Sequence, residues 1–167
     1  MNSNDEWYTP EFIMDKVRRV LGEIDLDPAS NPTANTIVRA KTYYTKEQNG
    51  LNYPWLGKVW CNPPYSAALI KKFTKYFAEE YKRGVMTEGI MLTNSGTDTQ
   101  WNIALQGGVQ AYTNGRISFL QPDLTPKGKG SRGQCFTYFG PNPELFIKVF
   151  TEDNFCWVPN LVLMRGK

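Results

Sequence analysis

The residues best suited to chemistry form one block, Val59-Trp60-Cys61-Asn62-Pro63-Pro64-Tyr65-Ser66. An apolar strand here delivers a carboxamide, two prolines and an aromatic ring to its carboxyl end, the edge at which open α/β sheets bind ligands. The prolines fix the backbone and remove two N–H donors. What remains is acceptor character, from the Asn62 amide oxygen and the Pro63 carbonyl, beside the flat ring of Tyr65. Two acceptors can hold the two N–H donors of an exocyclic amine on an aromatic ring. Such an amine is a poor nucleophile, because its lone pair is delocalised. Drawing on both hydrogens shifts the nitrogen toward a tetrahedral, more reactive state. Stacking on Tyr65 would hold the ring flat, and base–aromatic stacking contributes about 1–3 kcal/mol. The competing reading is a rigid turn after a strand, so the rest of the chain must decide.

Composition removes several alternatives. The 167 residues include no histidine, which excludes Ser-His-Asp and Cys-His catalysis and histidine metal sites. Cys61, Cys135 and Cys156 are scattered and form no CxxC pair, so neither a disulfide framework nor a zinc site is expected. They read as reduced thiols of a cytoplasmic protein, and no metal is expected. The net charge of +3 permits a nucleic-acid partner without requiring one. The start, MNSNDEWYTP, is polar and acidic, unlike a signal peptide. No apolar run approaches the roughly 18 residues that would span a membrane.

These groups must be positioned by an α/β scaffold. Residues 10–22 read as a helix with Thr9 as cap, Pro10 at the first position, and Phe12, Ile13, Val17, Val20 and Leu21 at helical spacing before Gly22. A short strand over Glu23–Leu26 leads into Asp27-Pro28-Ala29-Ser30. Residues 30–57 read as a long ordered loop with one short helix, and loops of this length are often functional. Lys58–Cys61 is a strand, 66–83 a helix, and Gly89–Thr93 a buried strand running into a polar turn, Asn94–Thr99. Strands at Val109–Tyr112 and Ile117–Leu120 flank an Asn114-Gly115 turn, and 121–133 reads as a mobile loop. Cys135–Phe139 is a strand, Pro143–Phe150 a helix, and the last stretch an edge strand. The alternation predicts a sheet that is mostly parallel with a late antiparallel portion.

The Asn62–Tyr65 turn resembles the (D/N/S)PP(Y/F/W) motif of amino-methyltransferases. More of the chain is similar to the phage-type DNA adenine methyltransferases, the phage Dam family. The resemblance runs through Trp7-Tyr8-Thr9-Pro10, Asp25–Ser30, Tyr43-Tyr44-Thr45, Gly50-Leu51, Trp55–Ser66 and Gly115–Phe119, so it covers most of residues 6–140. It implies one reduced, Rossmann-like methyltransferase domain over residues 1–167. It implies transfer of a methyl group from S-adenosylmethionine to the N6 amine of a flipped adenine in double-stranded DNA. Asn62, Pro63, Pro64 and Tyr65 would be catalytic. Trp7, Tyr8, Thr9 and Pro10, the turn Asp27, Pro28, Ala29 and Ser30, and Asn62 would contact the cofactor. Asp27–Ser30 would replace the glycine-rich turn of other nucleotide-binding folds, since no GxGxxG is present. The family often reads short palindromes such as GATC, and a phage-encoded member acts in the cytoplasm of its bacterial host. The short interval from Asp27 to Cys61 implies that elements of larger methyltransferases are missing. Asn49-Gly50-Leu51 departs from the family's usual Asp-Gly-Leu.

The residues themselves leave other functions open. The amine could belong to cytosine, an RNA base or protein glutamine, or the chain could be a catalytically silent nucleic-acid-binding module. Candidate phosphate contacts are Lys127, Lys129 and Arg132 in a flexible cationic run, and Arg39 and Lys41 (with Lys46) in the long loop. Asn94–Gln100 could line a base pocket. A monomer and a homodimer both remain open.

Overall fold

The computed structural model describes residues 7–159. In chain order the elements are α1 (Glu11–Leu21), β1 (Leu26–Asp27), α2 (Pro32–Val38), β2 (Thr42–Tyr43), β3 (Gly57–Cys61), α3 (Ala67–Lys82), β4 (Met86–Asn94) and α4 (Gln100–Ile103). They continue with β5 (Val109–Thr113), β6 (Ser118–Leu120), β7 (Pro126–Lys129), β8 (Gln134–Phe139), α5 (Pro143–Thr151) and β9 (Cys156–Trp157). Seven strands form one sheet in the order β2-β1-β3-β4-β8-β5-β9. The first four are mutually parallel. β8 runs antiparallel between β4 and β5, and β9 antiparallel on β5. β5 therefore shares the direction of β4, and the mostly parallel sheet with a late antiparallel portion is present as expected.

Side-chain alternation along the strands gives the sheet two apolar faces. Trp60, Ile90, Leu92, Phe136 and Tyr138 join one buried cluster with residues of α1, α2 and α5. Val59, Cys61 and Met91 join the other, with Phe73 and Phe77 of α3. Parallel strands need a crossover connection. The β1–β2 crossover holds α2 on the first face, and the β3–β4 crossover holds α3 on the second. The chain thus leaves β1 and β3 in opposite directions, so their carboxyl ends flank a switch point of the kind that holds ligands.

Local departures have local causes. α1 buries Ile13, Met14, Val17, Val20 and Leu21, and Gly22 closes it at φ 76° with its N–H on the Arg18 carbonyl. Pro10, not Thr9, occupies the cap position, and no side chain caps the helix. Phe12 is 51% exposed and meets Phe155 edge-on, outside the core stripe. The strand expected over Glu23–Leu26 is regular only at Leu26–Asp27, although backbone hydrogen bonds to Lys41, Thr42 and Lys58 begin at Ile24 and Asp25. Residues 30–57 do contain one short α-helix, α2, capped by Asn31 accepting from the Ala34 N–H at 2.9 Å. They also contain β2, whose two residues are too few to show a period.

β5 and β6 do flank Asn114-Gly115, but they do not pair with each other. β5 enters the main sheet, and β6 pairs with β7 in a separate ribbon. The 121–133 segment is therefore partly strand, a correction to the loop expected there. Its Pro-Lys-Gly-Lys sequence has no apolar alternation because both strand faces are largely exposed. Tyr8 and Leu120 exchange two backbone hydrogen bonds, at 3.0 and 2.9 Å, and so tie the N-terminal segment to this ribbon. β9 supplies the late edge strand, while residues 1–6 and 160–167 of the expected 1–167 domain lie outside the described residues. No helix among the described residues is long and apolar enough to cross a membrane.

Candidate active site

Asn62 leaves the carboxyl end of β3, one residue beyond the buried strand end Cys61. Its amide is held from both sides. Nδ2 donates to the Trp7 carbonyl and the Thr9 hydroxyl, each at 3.3 Å. Oδ1 accepts from the Tyr65 hydroxyl at 2.7 Å. A carbonyl can only accept, so the contact with Trp7 determines which end of the amide is nitrogen. Oδ1 has a second lone pair, and that acceptor is available to a substrate. The Tyr65 hydroxyl also lies 3.2 Å from the Leu92 carbonyl of β4, which anchors the ring to the neighbouring strand. Burial raises the Tyr65 hydroxyl far above its ordinary pKa, so it stays protonated and serves as a donor, not a base.

The turn after β1 emerges beside this loop, since Leu26 pairs with Val59 in parallel register. Asp27 is 2% exposed. Its Oδ1 accepts from the Ala29 N–H at 3.1 Å, and its carbonyl accepts from the Tyr44 N–H at 3.0 Å. Burial pushes its carboxyl up to about 7, against the opposing pull of the Ala29 N–H and the Ser30 hydroxyl. Burial, with the same carboxylate added, drives the Cys61 thiol upward. Asn31 links this turn to the N-terminal segment, because its Nδ2 donates to the Tyr8 hydroxyl at 3.1 Å while Oδ1 caps α2.

Gly50 packs under the same turn. A Cβ there would collide with the carbonyl oxygen of Pro28, so space, not backbone conformation, demands glycine. Asn49 sits at φ 55° and its Oδ1 accepts from the Leu51 N–H at 3.3 Å. That role needs an acceptor and no charge, which explains why Asn can stand where the resembling family has Asp.

A hollow of about 190 Å³ opens beside Tyr65, lined by Trp7, Asn94, Phe119, Ser131, Arg132 and Gln134 among others. Trp7 and Phe119 meet edge to face at 5.6 Å, and the Lys127 ammonium lies 3.9 Å from the centre of the Trp7 ring. Thus the structure brings Trp7, Thr9, Asn62, Tyr65, Lys127 and Arg132 to one edge. Lys129 is exposed on the same ribbon. It does not bring Lys41 there. Arg39 pairs with Glu11 at 3.0 Å, and Lys41 pairs with Glu23 and Asp25 at the opposite end of the parallel strands. Phe119 and Gln134 line this hollow without being among the residues whose types point to chemistry. For Phe119 a signal existed, in the Gly115–Phe119 block. For Gln134 there was none, because its place depends on how β8 threads between β4 and β5.

The Asp27 environment gives a pH prediction. The unfolded chain ionises Asp27 near its ordinary 3.8, the folded chain near 7. Between these values the folded state holds the extra proton, so this residue's contribution to stability falls as pH rises through the window, and is flat above it. Urea denaturation from pH 4 to 8 is expected to show that decline, and Asp27→Asn is expected to flatten it. Equal slopes in both proteins would show that Asp27 ionises normally.

An acceptor-rich turn at the switch point of a mixed α/β sheet is the arrangement of a methyltransferase of aromatic amines. The family match is more particular. The family model described as DNA N-6-adenine-methyltransferase (Dam) matches residues 1–143. The chain belongs to that family, and with it is an adenine-specific DNA methyltransferase. Among the amines left open by the residues alone, adenine in DNA is therefore the one. No curated relative matches the chain.

Proposed function

We propose that the chain transfers a methyl group from S-adenosylmethionine directly to N6 of an adenine turned out of double-stranded DNA, within one Rossmann-like domain. The observation that carries this reading is the Asn62 amide, locked with its nitrogen toward Trp7 and Thr9 and one oxygen lone pair unused.

Asn62 Oδ1 and the Pro63 carbonyl accept the two N6 hydrogens. Pro64 and the anchored Tyr65 hold the adenine plane, and Trp7 and Phe119 bound the hollow beside it. A base inside a duplex cannot reach such a recess, so it must leave the stack. Lys127, Lys129 and Arg132 on and after β7 are the proposed phosphate contacts, and Arg39 and Lys41, engaged in ion pairs, have no part.

The residues around β1 fit the proposed cofactor. Asp27 is a buried carboxyl with few donors and, among the described residues, no cation to offset the burial that holds its proton to about 7. A ligand rich in N–H and O–H donors and bearing positive charge would satisfy it. Trp7, Tyr8, Thr9 and Pro10, with Asp27, Pro28, Ala29, Ser30 and the edge of Asn62, would hold S-adenosylmethionine, which supplies an electrophilic methyl group. Incubating the protein with DNA and isotopically labelled S-adenosylmethionine, then analysing nucleosides by mass, tests the reading. Labelled N6-methyladenine is expected. Labelled methylcytosine, or no labelled base, would sink it.

A further inference from the structure

A second hollow, of about 370 Å³, lies at the same edge of the sheet, lined chiefly by Ser95, Thr97, Tyr112, Thr113, Gln134 and Trp157. It meets the hollow beside Tyr65 at one shared residue, Gln134. Its size falls in the range of small-molecule sites, and among the described residues no charged side chain lines it. Aromatic surface is present instead. Tyr112 and Trp157 pair across β5 and β9, their rings stacked at 5.1 Å and 26°, and Trp157 is 50% exposed.

Gln134 supplies the second, independent observation. It is 4% exposed. Its Nε2 donates to Asn94 Oδ1 at 3.1 Å and to the Arg132 carbonyl at 3.3 Å, which uses both of its hydrogens. The Arg132 carbonyl can only accept, so the amide cannot be turned over. Its Oε1 is buried and has no hydrogen-bond partner among the described residues. Buried acceptors in folded proteins are normally matched, and a ligand N–H would match this one.

We propose that this hollow is a second nucleobase site, which takes an amine-bearing base next to the target adenine, stacked on Trp157 and donating to Gln134 Oε1. The proposal rests on the reading that the target base occupies the hollow beside Tyr65. Bases in the two hollows would then meet at Gln134, so the site would read the neighbour of the methylated base. An acceptor without a free donor selects an amino edge over a carbonyl edge.

The test uses the full chain and a duplex oligonucleotide that the wild type methylates. Single abasic sites replace each neighbour of the target in turn, and Trp157→Ala and Trp157→Phe are compared with wild type. Loss of one stacked base is expected to raise the KM for DNA about tenfold, with a much smaller fall in kcat. One abasic neighbour should impose a similar rise on the wild type and none on Trp157→Ala. Trp157→Phe should recover most of the affinity and stay sensitive to the lesion, which holds even if the alanine variant folds poorly. A wild-type KM in Trp157→Ala, or a wild type indifferent to every abasic neighbour, would overturn the second site alone. A wild type that methylates no DNA would overturn both readings.

Discussion

Replacing Asn62 by alanine is expected to lower kcat by about 10²–10³-fold, the usual cost of losing one preorganised hydrogen-bonding group from a reacting centre. The affinity for S-adenosylmethionine should change far less. The amide is held by Trp7, Thr9 and Tyr65 before any substrate arrives, so no ordering cost falls on the reaction. Alanine removes the acceptor and also frees the Tyr65 hydroxyl to bond only Leu92. Asn62→Asp offers a sharper contrast. It keeps an acceptor for the amine but turns a carboxylate oxygen toward the Trp7 carbonyl, and should fall between wild type and alanine. Single-turnover methyl transfer measures the chemical step, and calorimetry measures cofactor binding. Near-normal turnover in Asn62→Ala would remove Asn62 from the catalytic machinery.

Gly50→Ala is expected to destabilise the fold by about 3 kcal/mol, at the upper end of overpacking effects. For a chain of this size that is a fall of roughly 6–12 °C in Tm. The reason is a backbone contact. The added methyl would collide with the Pro28 carbonyl, which cannot rotate away as a side-chain end would. The Gly50 carbonyl also accepts from the Trp55 indole at 2.9 Å, so moving Gly50 disturbs the core on that side. Cofactor binding should weaken as well, because the displaced segment is the Asp27–Ser30 turn. Thermal unfolding by circular dichroism gives the first effect and calorimetry the second. An unchanged Tm would mean that the turn yields without cost, and that the Gly50–Pro28 contact does not set its position.

Much of this architecture was legible in the sequence where the signals were local. The stripe Ile13, Val17, Val20 and Leu21 marked α1, and the apolar run into Asn62-Pro63-Pro64-Tyr65 marked β3 and its turn. The short elements were not legible. β2 has two residues, and β7 reads Pro-Lys-Gly-Lys, so neither carries a pattern. Non-local pairing was equally hidden. An Asn-Gly turn between two strand-like runs suggests that they neighbour each other, yet β5 finds β8 and β6 finds β7. At the site, the chemical identity of Asn62 was readable but its partners were not. Thr9 looked like a helix cap, and its hydroxyl instead holds the Asn62 amide from more than fifty residues away. Arg39 and Lys41 shared a charge and a neighbourhood in sequence, but Arg39 is tied to Glu11 at the start of α1 while Lys41 is held at the other end of the strands by Glu23 and Asp25.

The exchange of hydrogen bonds between Tyr8 and Leu120 bears on how the site is completed during synthesis. The acceptor turn itself needs only the chain through β4, whose Leu92 anchors Tyr65. Its enclosure needs Phe119, Arg132 and Gln134, and the segment that orients Asn62 is stapled to a ribbon made much later. A nascent chain halted after β4 would carry every residue of the Asn62–Tyr65 turn and still lack a walled recess. The recess would therefore be completed only once the chain has passed β8.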